Sequence, residues 1–244
     1  MLKSRWSLAI ALAGCLLSCG SLQAVTISNY SFETPVLADN GVSASIPNWN
    51  EDGDYFPANN HIGVYNPPLS AYPGGVPDGN NVAIIFSLPP DAGSGQPGGG
   101  DIWQQTAKQL EITDASYSLS AYVGNELGVA QIATTFELRS GTNYATSTLL
   151  KSLTVSGGNT DVADGTFAQF TLTWSQSDAN FATLLAAHLG EPVIIAFSVP
   201  ANTGANSDID LVQLSVTSVP EPASLTLLLP GLLLFLRPAR LIRR

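Results

Sequence analysis

A chain of 244 residues, 45% hydrophobic and only 11% charged, is long enough to bury one substantial core. Its formal net charge is −10, and the spread is uneven: Lys3, Arg5, Arg237, Arg240, Arg243 and Arg244 sit at the two ends, leaving only Lys108, Arg139 and Lys151 in residues 25–218, which hold every acid except Glu221. Such a middle excludes nucleic acid and anionic membrane surfaces as partners and favours a soluble surface or hard divalent cations such as calcium. Both cysteines, Cys15 and Cys19, fall in the first apolar run, so residues 25–218 contain no disulfide, thiolate nucleophile or cysteine-ligated zinc.

In chain order, Lys3 and Arg5 precede an apolar run over residues 6–17, and small Ala24 follows. This predicts a secretory signal over residues 1–24 with the mature chain beginning near Val25. The stretch Leu12-Ala13-Gly14-Cys15 leaves acylation at Cys15 open as an alternative. Continuous apolar runs at 82–86 and 193–197 predict central strands. Residues 88–100 read as a Pro/Gly loop. Alternation of Tyr117, Leu119, Ala121 and Val123, of Phe170, Leu172 and Trp174, and of Val212, Leu214 and Val216 predicts half-buried antiparallel strands. One segment departs from this: Phe181, Leu184, Leu185, His188 and Leu189 recur at helical spacing, with Ser177 or Asp178 to cap the start and Gly190 to end it. Residues 25–218 are therefore expected to be an all-β, antiparallel two-sheet sandwich with one short helix, and Trp103 and Trp174 are expected in its core.

Residues 219–244 close with Pro220-Glu221-Pro222, a mostly apolar run to Leu236, and a tail rich in arginine. This order resembles the PEP-CTERM sorting signal of Gram-negative bacteria. The resemblance implies processing by an exosortase-type membrane protease, transient anchoring in the inner membrane by a C-terminal hydrophobic helix, and release to the cell surface or an extracellular polysaccharide matrix. A plain C-terminal anchor is the other reading. The apolar run spans roughly 21 Å as a helix, against a hydrocarbon core of roughly 30 Å, and Pro230-Gly231 interrupts it.

The landmarks Asn29-Tyr30-Ser31-Phe32-Glu33, Ile46-Pro47-Asn48-Trp49, Asp78-Gly79-Asn80-Asn81, Trp103-Gln104-Gln105 and Ser207-Asp208-Ile209-Asp210 follow one another across the chain. Together they resemble the galactose-binding-domain-like jelly rolls, which include many carbohydrate-binding modules. The resemblance implies a structural calcium held by Glu33 and Asp210, with Asp208 assisting. Carbohydrate is expected at Trp49, Asp52, Asp54, Tyr55 and Tyr65, where flat aromatic rings and convergent polar groups suit a small ligand; Tyr72 is a further ring of this kind. The alternatives are that Trp49 plugs the sandwich end and that the acids are solvated or bound to backbone N–H groups. His61 and His188 are single histidines, with no partner in the sequence to make a metal site. There is no Gly-x-Ser-x-Gly elbow, no His-Glu-x-x-His and no phosphate-binding loop, and the many acids single out no catalytic pair. The expected function is an exported, non-catalytic surface or matrix protein binding carbohydrate or calcium. A purely structural surface protein and a divergent hydrolase are the alternatives.

Overall fold

The computed structural model describes residues 21–53, 62–87, 99–201 and 205–219. Its strands are β1 (Ser21–Val25), β2 (Val42–Ser43), β3 (Asn50–Gly53), β4 (Ile62–Tyr65), β5 (Val82–Ser87), β6 (Gly100–Gln109), β7 (Asp114–Asn125), β8 (Thr134–Ser140), β9 (Thr148–Val155), β10 (Thr166–Ser175), β11 (Pro192–Val199) and β12 (Ala205–Ser218), with helix α1 (Phe181–Ala187) between β10 and β11. One sheet has the order β10-β7-β12-β5-β4-β2, with β1 also paired to β12; the other has the order β3-β6-β11-β8-β9. All the ladders between these strands are antiparallel. This is the expected two-sheet jelly-roll sandwich. The expected signal helix and C-terminal hydrophobic helix lie outside the described residues. Among the described residues no helix is long and apolar enough to cross a membrane.

The alternating residues of β7 point into the sandwich as their period requires, and Tyr117, Leu119, Ala121 and Val123 are all buried. Across the gap, Phe136 and Leu138 of β8 and Ile195 and Phe197 of β11 fill the facing sheet, with Phe136 set edge-on to Phe197. The continuous apolar run of β11 suits its place between β6 and β8, and Val193 through Phe197 are fully buried. The ends of the domain lie side by side, with Leu22 opposite Thr217 and Val25 opposite Leu214. Cleavage after Ala24 would thus remove four of the five residues of β1.

Two details differ from the sequence-based expectation. Helix α1 starts after Asn180, not after a Ser177 or Asp178 cap, because the Asp178 carboxylate is taken by Ser175 N–H (2.9 Å) and Lys151 (2.6 Å). Trp103 lies outside the core: on β6 the inward positions are Ile102, Gln104, Thr106 and Lys108, so Trp103 turns outward beside Tyr144. Trp174 is fully buried as expected, packed on Tyr117 and Phe181.

Strand β12 carries the feature that builds the site. Its register with β7 shifts between Asp210 and Gln213, and Leu211 there takes φ +51. Before this bulge Ser207 and Ile209 face the inter-sheet core; after it Val212, Leu214 and Val216 do. Asn206, Asp208 and Asp210 therefore form a polar stripe on the outer face. The β4–β5 connection, residues 66–81, folds across that face as a strap and buries it.

Candidate active site

The strap brings Tyr72 over β12. Its hydroxyl donates to Asp208 Oδ2 at 2.5 Å, and Ala71 is pinned in place by the Leu127 N–H, which donates to the Ala71 carbonyl at 3.0 Å. The Tyr72 ring packs on Phe167 of β10 with centroids 4.4 Å apart. Gly124, opposite both Asp208 and Phe167 in the ladders, makes room for this pair: a Cβ there would lie 2.6 Å from the Tyr72 hydroxyl and 2.5 Å from Phe167 Cε1. Beside Phe167 runs a groove of about 310 Å³ walled by residues 74–77, Tyr122, Gly165 and Thr166. At the near end of the stripe, Asn206 Nδ2 donates to Glu126 Oε2 at 3.0 Å.

Asp208 is almost fully buried, and its Oδ1 has no hydrogen-bond partner. Burial pushes its carboxyl up to about 7; the Tyr72 bond pulls the other way and the Glu126 charge adds to the rise. The same burial and the neighbouring carboxylates raise the Tyr72 hydroxyl far above its usual range and push Tyr65 up to about 12, with Glu126, Asp208 and Asp39 contributing to the Tyr65 rise. The site thus holds a buried carboxyl of raised proton affinity, one oxygen bonded to Tyr72 and the other without a partner, beside aromatic rings.

The sequence-predicted residues divide among several places. Glu33 and Asp210 both hold the turn at residues 78–81: Glu33 Oε1 accepts from the N–H groups of Asn80 (2.9 Å) and Asn81 (2.8 Å), and Asp210 accepts from Asp78 N–H (2.9 Å) and from Leu211 N–H (2.6 Å). Burial raises the Asp210 carboxyl to about 8; the two N–H bonds lower it, and the charges of Asp78 and Glu33 raise it further. Asp208 does not join them; it turns to Tyr72. Among the described residues no group of three or more His, Cys, Asp or Glu side chains gathers to hold a metal. Trp49 is a core residue, its ring between Phe32 (5.4 Å) and Phe197 (6.1 Å) and its Nε1 donating to the Asn29 carbonyl, so it offers no open face for stacking. Asp52 lies on β3, opposite Asp101. Tyr65 lies on the strap-covered face, its hydroxyl donating to Asn40 Oδ1 at 3.4 Å. Asp54, Tyr55, Pro220, Glu221 and Pro222 lie outside the described residues. Glu126 and Phe167 escaped the sequence reading, because only the pairing of β10 with β7 and of β7 with β12 brings them here. The polar alternation Asn206, Asp208, Asp210 was the available signal for a functional stripe.

A protein-family model described as HpiC1-like, HpiC1 cyclase, matches residues 23–215. Among solved structures, the Stig cyclase Fisc from Fischerella sp. TAU, in complex with (3Z)-3-(1-methyl-2-pyrrolidinylidene)-3H-indole, is 19% identical, with 82% of this chain and 100% of that chain covered and a TM-score of 0.62. An apo-form cyclase from Fischerella sp. is 18% identical, with 82% and 99% covered and a TM-score of 0.62. A cyclase from Fischerella sp. TAU in complex with 4-(1H-indol-3-yl)butan-2-one is 19% identical, with 82% and 100% covered and a TM-score of 0.59. At such identities the likeness is one of fold. Among curated proteins nothing matches. These findings overturn the expected non-catalytic, carbohydrate-binding matrix protein, because the matching family is one of cyclases. They give no support to exosortase processing, secretion or a matrix role. The expectation failed because no residue pattern along the chain marks a cyclase, and in the sequence a buried acid reads like a solvated one.

Proposed function

The chain belongs to the HpiC1-like cyclase family, and from that premise we propose that it is an acid-initiated cyclase acting on an aromatic, indole-type substrate, with Asp208 as proton donor. The observation that carries this reading is the Asp208 carboxyl itself: buried, held through Oδ2 by Tyr72, and unpartnered at Oδ1. The substrate class is drawn from the indole compounds bound to the cyclases of similar fold.

The chemistry balances without an oxidant or reductant. Protonated Asp208 gives its proton from Oδ1 to an electron-rich carbon of the substrate. The resulting cation is attacked by a second π-bond of the same molecule, which forms the new carbon–carbon bond. A proton is then lost from carbon to the Asp208 carboxylate, so the product is an isomer of the substrate and the acid is restored. Tyr72 fixes the carboxyl and stabilises the carboxylate while the proton is away. The strap and the Tyr72 and Phe167 rings exclude water that would otherwise trap the cation.

The test is turnover of a 3-alkenylindole, followed as formation of a chromatographically distinct isomer of equal mass. Asp208→Asn is expected to cost about 10²–10⁴-fold in rate with an unchanged melting profile. Wild-type turnover by this variant would overturn the assignment.

Two further proposals rest on narrower support. Calcium at Glu33 and Asp210 is supported by the crowding of Glu33, Asp78 and Asp210 at one turn, where no described salt bridge supplies a cation. Calcium takes six to eight oxygens, so backbone carbonyls and water would complete the set beside these carboxylates, and no step of the reaction runs through it. A PEP-CTERM-like tail that directs the chain into a membrane and is trimmed near Pro220-Glu221-Pro222 is supported by the sequence of residues 219–244.

A further inference from the structure

A second orphan lies on the stripe. Gln131 is 5% exposed, and both its Nε2 and Oε1 are buried without a hydrogen-bond partner. Where β7 ends, the chain turns away and returns, and Gln131 takes up a parallel bridge with Asn206. The bridge is made by Asn206 N–H to the Ala130 carbonyl (3.2 Å) and Ile132 N–H to the Asn206 carbonyl (3.0 Å). Residues paired in this way send their side chains to the same face, so Gln131 emerges beside Asn206 on the face that carries Asp208.

A buried primary amide with neither edge bonded is costly, by about 1–3 kcal/mol for each unmet group, and native proteins rarely keep one without a use. The two orphaned side chains of this face, Gln131 and Asp208, flank Asn206, whose own amide is taken by Glu126. Two residues along a strand and one strand across put their backbones roughly 8 Å apart. That is about the reach of a fused bicyclic ring hydrogen-bonded at one edge and protonated at the other. A structural water would satisfy Gln131 alone; a substrate bridging Gln131 and Asp208 would satisfy both unpartnered groups.

Building on the cyclase reading, we propose that Gln131 is a specificity-determining residue whose carboxamide oxygen accepts the ring N–H of an indole substrate while Asp208 protonates carbon. The carboxamide nitrogen is then left to donate to an acceptor on the substrate. The residue sets the ring's orientation and takes no part in proton transfer.

The experiment is equilibrium binding of 4-(1H-indol-3-yl)butan-2-one and of its N-methyl derivative to the full chain, for the wild type, Gln131→Met and Asp208→Asn. The wild type is expected to prefer the N–H compound by about tenfold or more. Gln131→Met is expected to bind both alike, and on a 3-alkenylindole to raise KM with little change in kcat. Asp208→Asn is expected to keep the preference while losing turnover. Should Gln131→Met fail to fold, Gln131→Asn, which withdraws the amide by one methylene, carries the same expectation. A wild type that binds both compounds equally, or neither, overturns the inference, as does a preference that survives in the Gln131 variants. Ring closure without N–H preference removes this inference alone. Preference without ring closure removes the cyclase reading and leaves Gln131 as a reader of indole N–H.

Discussion

A carboxylate on the outer face of a sheet is ordinarily solvated; Asp208 is not, because Tyr72 covers it and the strap excludes water. Asp208 and Asp210 are therefore groups whose folded-state proton affinity lies above the unfolded value, at about 7 and about 8. The folded state holds their protons where the unfolded chain has released them, so rising pH favours the unfolded chain. Without calcium, the stability these two groups contribute should be full below the ordinary carboxylate range of about 4 and should be lost as pH rises toward 8. Melting temperatures measured from pH 4 to pH 8 in chelator check this, and a rise across that window would contradict the buried neutral carboxyls. Turnover should likewise decline as pH climbs through about 7, where Asp208 gives up the proton it is proposed to donate.

The elements that hold the site are the bulge of β12, the end of β7 and the strap. Gly124 is the tightest point among them, because the Tyr72 and Phe167 side chains occupy the space a side chain would need. Gly124→Ala should force Tyr72 off Asp208 and cost about 1–3 kcal/mol, or about 2–4 °C of melting temperature for each kcal/mol. Its ring-closing activity should fall by more than that loss of stability explains, and circular dichroism melting with turnover on the same sample separates the two effects. The strap's far end, the turn at 78–81, is tied down by Glu33 and by Asp210 of β12. If calcium binds there, it replaces the proton on Asp210 and joins that turn to β12. At about a hundred times the dissociation constant it would add about 2.7 kcal/mol. The melting temperature should rise with calcium in the wild type and stay level in Asp210→Ala; coincident wild-type curves with calcium and with chelator would remove the ion.

At the scale of the whole molecule, β1 pairs with the C-terminal half of β12 and brings the two ends of the domain together within the longer sheet. A membrane-directed tail attached after Ser218 would therefore leave the domain next to its own first strand, on the half of β12 beyond the bulge. The strap and Asp208 lie on the other half, so trimming near Pro220-Glu221-Pro222 should leave ring closure unaltered. Intact-mass analysis of the mature protein checks the trimming, and a species still carrying Arg243 and Arg244 would contradict it.

The sequence alone determined the sandwich. Alternation in β7 and β12 and the continuous run of β11 report burial directly, since side chains of period two must choose a face. It also determined the short helix, and it marked Glu33 and Asp210, which hold one and the same turn. What it left open was which acid is buried and which merely solvated. Asp208 acquires its character from Tyr72, 136 residues away in the chain, and from a bulge that keeps it on the outer face. Trp49 looked like a stacking platform because an aromatic beside acids reads the same whether its ring faces solvent or, as here, Phe32 and Phe197. Glu126, Phe167 and Gln131 reach the stripe only through strand pairing. Pairing, and the desolvation that follows from it, are properties of residues distant in sequence, so only the tertiary structure decides them.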